Sequence, residues 1–94
     1  LLNNGMLGTI RMHQEREYPG RDAAAGAGLA NPDFVALARA YGWEGARVHR
    51  TAEFEPAFRE ALARERGTVI ELMLDPEVIT TRATLSAIRE SRRR

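Results

Sequence analysis

The chain has no cysteine, no lysine and only six aromatic residues among its 94. Without cysteine there is no disulfide, no thiolate metal site and no cysteine nucleophile. No apolar run approaches the ~18 residues that cross a bilayer, and no signal-peptide pattern is visible. Both features predict a cytoplasmic protein with no membrane partner. An excess of one charge is also missing. The formal net charge is +1, too small to imply a nucleic-acid partner. Charge is uneven only at the end, RESRRR, where Arg89, Arg92, Arg93 and Arg94 cluster. Such a tail can grip phosphate, but a solvated, frayed terminus is the plainer reading. What remains is 44% hydrophobic and 29% charged, a globular composition sized for one modest core.

Leu1–Asn4 reads as the end of a strand and Gly5–Gly8 as a turn into a helix. The spacing of Met6, Leu7, Ile10 and Met12, followed by charge from His13 onward, predicts a short amphipathic helix over Leu7–Glu17 with wet last turns. Tyr18-Pro19-Gly20 ends it. RDAAAGAGLA has no periodicity and reads as a mobile loop. Asn31, an Asx cap before Pro32, announces a helix with Phe34, Leu37, Ala38 and Tyr41 on its inner face and Gly42 at its left-handed end. Ala46–His49 is a strand with Val48 inward. Thr51 caps the next helix, whose Phe54, Phe58 and Leu62 stripe (with Ala61) predicts its contact with a sheet, and Gly67 closes it. TVIELML, Thr68–Leu74, reads as a strand covered on both faces, stopped by Asp75-Pro76. A last helix runs over Thr84–Arg92 through Leu85 and Ile88.

This alternation marks an α/β fold, part of a three-layer parallel sheet with flanking helices. With about two and a half strands the sheet is small for a complete doubly wound domain. It reads as truncated on its N-terminal side.

In such sheets ligands bind beyond the carboxyl ends of strands, and Asn3, Asn4 and Gly5 stand at one. An amide oxygen is a hard, neutral ligand suited to Mg²⁺ or Ca²⁺, and adds no charge that competes with a diphosphate. Asn-Asn-Gly is also a ready tight turn, since both residue types tolerate positive φ. On residue chemistry alone the turn is the simpler reading, and the ligand reading stands beside it.

LLNNGMLGTIRMHQEREYPGR, NPDFVALARAYG, a TxxFxxAFxxAL helix and an IEL strand, in this order and spacing, resemble the C-terminal part of thiamine-diphosphate-dependent enzymes. The group they resemble is the acetolactate-synthase-like family of carboligases and 2-oxo acid decarboxylases. The resemblance runs from Leu1 to about Arg89 and implies that residues 1–94 are the C-terminal portion of a thiamine-diphosphate-binding domain. The family's cofactor motif begins with Gly-Asp-Gly and ends in Asn-Asn, which Asn3 and Asn4 match. By this resemblance Asn4 is a side-chain ligand to Mg²⁺, Met6 a backbone-carbonyl ligand, and Asn3 a support of the turn. Gly5, Leu7 and Gly8 shape the backbone around the diphosphate, with Leu7 toward the substrate.

The implied cofactors are thiamine diphosphate and Mg²⁺. The implied partners are the rest of a parent enzyme, in a homo-oligomer with its active site at a subunit interface. Gly-Asp-Gly is not in this sequence, so one metal ligand and much of the diphosphate cradle lie elsewhere. So does the pyrimidine-binding domain, and the chain alone is expected not to catalyse. The alternative is a non-catalytic interaction module that associates through an open sheet edge, with Thr68–Leu74 as an exposed strand.

His13 and Glu17 are four apart but lack a third metal ligand, so a solvated face is the simpler reading. His49, Ser86 and Ser91 have no base or nucleophile partner in the pattern. Gly20, Gly26 and Gly28 follow no strand and form no nucleotide fingerprint. Arg11 and Arg16 could reach an anionic substrate carboxylate.

Overall fold

The structure, a computed structural model, describes residues 1–21 and 29–93. Its elements alternate as the hydrophobic pattern predicts: β1 (Leu2–Asn3), α1 (Gly8–Glu17), α2 (Phe34–Ala40), β2 (Glu44–Val48), α3 (Thr51–Ala63), β3 (Thr68–Met73) and α4 (Leu85–Arg93). They fall into two units. One joins Leu1–Asn3 to Asn31–Leu74; the other joins the described residues of Asn4–Ala30 to those of Asp75–Arg94. Most of the predicted RDAAAGAGLA loop, 22–28, lies outside the described residues. Among the described residues no helix is long and apolar enough to cross a membrane.

The first unit is a parallel sheet in the order β1-β3-β2. Strand side chains alternate between faces. The register sets Arg47 beside Glu71 and Asn3 beside Met73. Gly45, Arg47, Val69, Glu71 and Asn3 therefore share one face, while Ala46, Val48, Ile70 and Leu72 share the other. Helix α2 covers the first. A Cβ on Gly45 would come within 2.8 Å of Val35 Cγ1 and 3.0 Å of the Val35 carbonyl oxygen, so glycine is what lets the helix lie this close. Helix α3 covers the second face, where Ala57 and Ala61 share a small recess with Ala46 and Thr68.

Several expectations need correction here. Helix α2 is capped by Asp33, whose Oδ1 accepts the Ala36 N–H at 3.0 Å, and not by Asn31. Pro32 keeps Asn31 out of the helical region, and the Asn31 amide is used elsewhere. The buried face of α2 is Val35 and Ala38; Leu37 and Tyr41 are exposed. Gly42 does end it in the left-handed region, at φ +76°.

Thr51 is the first residue of α3 and not its cap: the cap position is Arg50, whose N–H, with that of His49, is taken by the Glu53 carboxylate. The Phe54, Phe58 and Leu62 stripe is not core: Leu62 is 70% exposed, and the two phenylalanines stack on each other 5.7 Å apart near the surface. The alanines let α3 lie close to the sheet, while Phe54 stands at the edge of that contact beside Val48 and Leu72, and Phe58 and Leu62 stay exposed. Gly67 does not end α3, which stops at Ala63 with Arg64 as its C-cap; glycine is needed there because a Cβ would lie 2.6 Å from the Trp43 ring. Thr68–Leu74 is no exposed edge either. β3 is the central strand, and the two outer positions belong to β1 and β2.

In the second unit α1 packs on α4, and Leu85 is buried. Thr84 Oγ1 accepts the Ala87 N–H at 3.1 Å to open α4. The predicted wet end of α1 holds a buried carboxylate instead: Glu15 is 3% exposed. It accepts from Arg89 Nε at 2.7 Å and Arg89 Nη2 at 2.9 Å, and meets Arg11 Nη2 at 2.7 Å. Arg89 is therefore a helix-to-helix clamp and no part of a frayed tail.

Candidate functional site

The six predicted site residues are divided by the structure at the bond between the two asparagines. Asn3 belongs to the sheet unit, and Asn4, Gly5, Met6, Leu7 and Gly8 to the helical unit.

In the helical unit Asn4 Oδ1 accepts the backbone N–H of Met6 at 3.2 Å, an Asx turn. Gly5 takes φ +72° inside that turn, a value that favours glycine, and its carbonyl accepts the Leu29 N–H at 3.1 Å. A Cβ on Gly8 would approach Asn4 Nδ2 to 2.7 Å, so the amide of Asn4 lies folded over the first residue of α1. Leu7 is the N-cap and offers no side-chain hydrogen bond, and the first turn of α1 contains no acidic residue. The turn thus stands before a helix end whose cap residue and first turn supply no side chain that neutralises the leading N–H groups and positive dipole.

The donors suit the implied ions. An amide oxygen has two lone pairs, so the bond to Met6 leaves the Asn4 oxygen one for a cation. The Met6 carbonyl is a second hard oxygen. Two protein ligands do not complete an octahedron, and Mg²⁺ shares its shell with phosphate oxygens and water. A diphosphate there would meet N–H groups and a glycine at the start of α1, whose first turn holds no acidic residue.

In the sheet unit Asn3 is nearly buried, 9% exposed. Its Nδ2 donates to Glu71 Oε2 at 2.8 Å, and its Oδ1 accepts from Asn31 Nδ2 at 3.0 Å. Glu71, 2% exposed, accepts from Arg47 Nε at 2.7 Å through its other oxygen. Arg47 Nη2 reaches on to Asp33 Oδ1 at 2.7 Å. The Arg47 and Asn3 hydrogen bonds hold the Glu71 carboxyl below the usual glutamate range. The bonds of Arg89 do the same for Glu15.

Sequence reasoning missed this network. One signal was available, a lone glutamate inside the apolar strand TVIELML, where a charge between two covered faces must find partners. Nothing local marks Arg89 as the partner of Glu15, 74 residues away.

The other candidates are not assembled. Among the described residues no three His, Cys, Asp or Glu side chains come together for a metal, and His13 is exposed. Arg11, considered for a substrate carboxylate, is paired with Glu15. His49 lies on a cleft of about 250 Å³ beyond the carboxyl ends of β2 and β3, walled by Val48, Phe54 and Leu72.

Comparison with known proteins gives the family. Residues 1–72 match the family model described as "Thiamine pyrophosphate enzyme, C-terminal TPP binding domain". Over 66 residues, 70% of this chain, it is 38% identical to the acetolactate synthase isozyme 3 large subunit of Escherichia coli (strain K12), covering 11% of that protein. Over 82 residues, 79% of this chain, it is 37% identical to the Oryza sativa subsp. japonica protein named "Probable acetolactate synthase 2, chloroplastic", covering 12% of it. The chain thus spans little more than a tenth of the length of these relatives.

Proposed function

The chain belongs to the C-terminal TPP-binding domain family of thiamine pyrophosphate enzymes, and from that premise we propose that it builds the downstream half of a thiamine diphosphate/Mg²⁺ site. On this reading Asn4 holds Mg²⁺ through its side-chain oxygen and Met6 through its carbonyl. Gly5 and Gly8 shape the backbone around the diphosphate, Leu7 lies toward the substrate, and Asn3 supports the turn. The cofactor, when bound, supplies an electron sink for a carbanion generated next to a carbonyl. The chain's own part is to bind and orient.

The observation that carries the reading is the Asn4 Asx turn, with left-handed Gly5, directly before the uncapped start of α1. The parent activity we propose is a lyase or carboligase acting on 2-oxo acids; the names of both acetolactate synthase relatives support the carboligase branch. The remaining ligands, including the aspartate of a Gly-Asp-Gly segment, come from the rest of the parent enzyme. That enzyme is a homo-oligomer with its active site at a subunit interface, and the 94 residues alone are not catalytic.

The test is calorimetric titration of thiamine diphosphate, with and without Mg²⁺, into the full-length protein whose reading frame includes this chain. The wild type binds in a Mg²⁺-dependent way, and Asn4→Ala weakens that binding by ~10–100-fold. Equal affinity of the two proteins in Mg²⁺ would remove Asn4 from the metal and the proposal with it.

A further inference from the structure

We propose that Glu71 is a positioning residue for the cofactor motif, acting by orienting and anchoring the side chain of Asn3. The inference rests on the reading of Asn4 as a Mg²⁺ ligand given above. Its evidence is the chemistry of three adjoining amide and carboxylate groups.

A primary amide can usually turn over, exchanging its oxygen and nitrogen at little cost. Asn3 cannot. An ionised carboxylate only accepts, so Glu71 requires the Nδ2 of Asn3 on its side, 2.8 Å away. That choice turns Oδ1 toward Asn31, which must then present its own Nδ2, at 3.0 Å. The orientation passes from a charged group through two neutral ones. Glu71 is itself held: Arg47 Nε occupies its other oxygen at 2.7 Å, and Asp33 takes the far arm of that guanidinium at 2.7 Å. With Glu71 2% exposed, water does not cheaply replace the bonds at its two oxygens.

Asn3 is the last residue of β1, a strand of two residues. The strand's backbone bonds to β3 include those from the N–H groups of Leu72 and Leu74 to the carbonyls of Leu1 and Asn3, both at 2.8 Å, and that from the Leu1 amino group to the Ile70 carbonyl at 2.9 Å. So short a strand has little hold of its own, and the Asn3 side chain adds two further bonds at its final residue. Asn4 follows across a single peptide bond. A looser Asn3 lets the chain leave the sheet from a wider range of positions, and the metal ligand loses its preorganisation.

The discriminating experiment exchanges the two groups. In Glu71→Gln the new amide gives its oxygen to Arg47 and turns its N–H₂ toward Asn3. Asn3 can accept it only by turning over and making Asn31 turn over in the same way, so the orientation that the charge dictated is lost. In Asn3→Asp two carboxylates face each other. In the double variant the complementarity returns. The carboxylate now on β1 accepts from the amide now on β3 and from Asn31. The oxygen of that β3 amide accepts from Arg47, and the charge of the network is unchanged.

In the full-length protein each single variant should weaken Mg²⁺-dependent thiamine diphosphate binding ~10-fold or more, and the double variant should recover most of the loss. Turnover at saturating cofactor and Mg²⁺ should move little, since Glu71 touches no reacting atom. Glu15→Gln, a change at a buried ion-paired carboxylate of the helical unit, should reduce stability and leave cofactor affinity alone. Asn31→Ala loosens Asn3 from an exposed position that does not threaten folding, and should weaken binding about two- to threefold. Wild-type affinity in both Glu71→Gln and Asn31→Ala, with Asn4→Ala still impaired, overturns this inference only. Wild-type affinity in Asn4→Ala as well overturns the reading beneath it.

Discussion

Each unit buries one glutamate among arginines, and the two do so differently. Glu15 receives both arms of Arg89 and a third contact from Arg11 one turn behind it. Its remaining bond is to the backbone of Gly20, just past the end of α1, so the cluster fastens α1 to α4 and to the turn that follows α1. Glu71 gives one oxygen to Arg47 and the other to the neutral amide of Asn3, so its constraint runs outward along the sheet to Asn31 and Asp33. A carboxylate saturated by arginine is a clamp. One shared between an arginine and an amide also orients the amide.

Removing each carboxylate tests that contrast most severely. Glu15→Ala leaves two partly buried guanidiniums, Arg11 at 19% and Arg89 at 29% side-chain exposure, and should cost about 3 kcal/mol in urea unfolding. Glu71→Ala should cost less, about 2 kcal/mol, because Arg47 at 37% exposure can turn toward water. The reverse order would mean that the sheet network, and not the helical clamp, dominates stability. Gly45→Ala comes next. The new methyl group meets backbone as well as side-chain atoms of Val35, which only a shift of α2 relieves, at a cost of about 1–3 kcal/mol by the same measurement.

Acid should weaken both units. The folded-state carboxyls of Glu15 and Glu71 both titrate below their ordinary value of 4.5. Their contribution is complete above that value and is lost as pH falls through it toward the lower folded values. Unfolding midpoints should therefore hold steady from about pH 7 to about 5.5 and decline below about 4.5, with a shallower decline in Glu15→Gln. A wild-type midpoint that does not fall would show that neither ion pair contributes to stability. The smallest effect is expected for Leu62→Ser. At 70% exposure this should lie within about 0.5 kcal/mol of wild type, whereas a core leucine would cost several times more.

Leu62 shows where reading the pattern stopped short. Phe54, Phe58 and Leu62 recur at helical spacing, which makes a helix and an apolar stripe legible. It does not say which of two neighbouring stripes meets the sheet. Ala57 and Ala61 win because their small size permits the closer approach, a property of the pair of surfaces and not of α3. The cap of α2 went astray similarly. Asn31 and Asp33 are both good caps, and Asn31 was drawn away by Asn3, a residue 28 positions distant.

The amino-acid sequence by itself determined the order and kind of the elements, the left-handed Gly42, the turn chemistry of Asn4-Gly5 and the resemblance that named the cofactor. All of these depend on near neighbours, periodicity or motif order, which survive as a string. Only the tertiary structure decided that Glu71 faces Asn3, that Glu15 is closed by Arg89, and that Phe58 and Leu62 of α3 stay exposed. Those outcomes depend on register and approach distance between segments far apart in the chain, where a difference of one residue or one methyl group exchanges a buried partner for solvent.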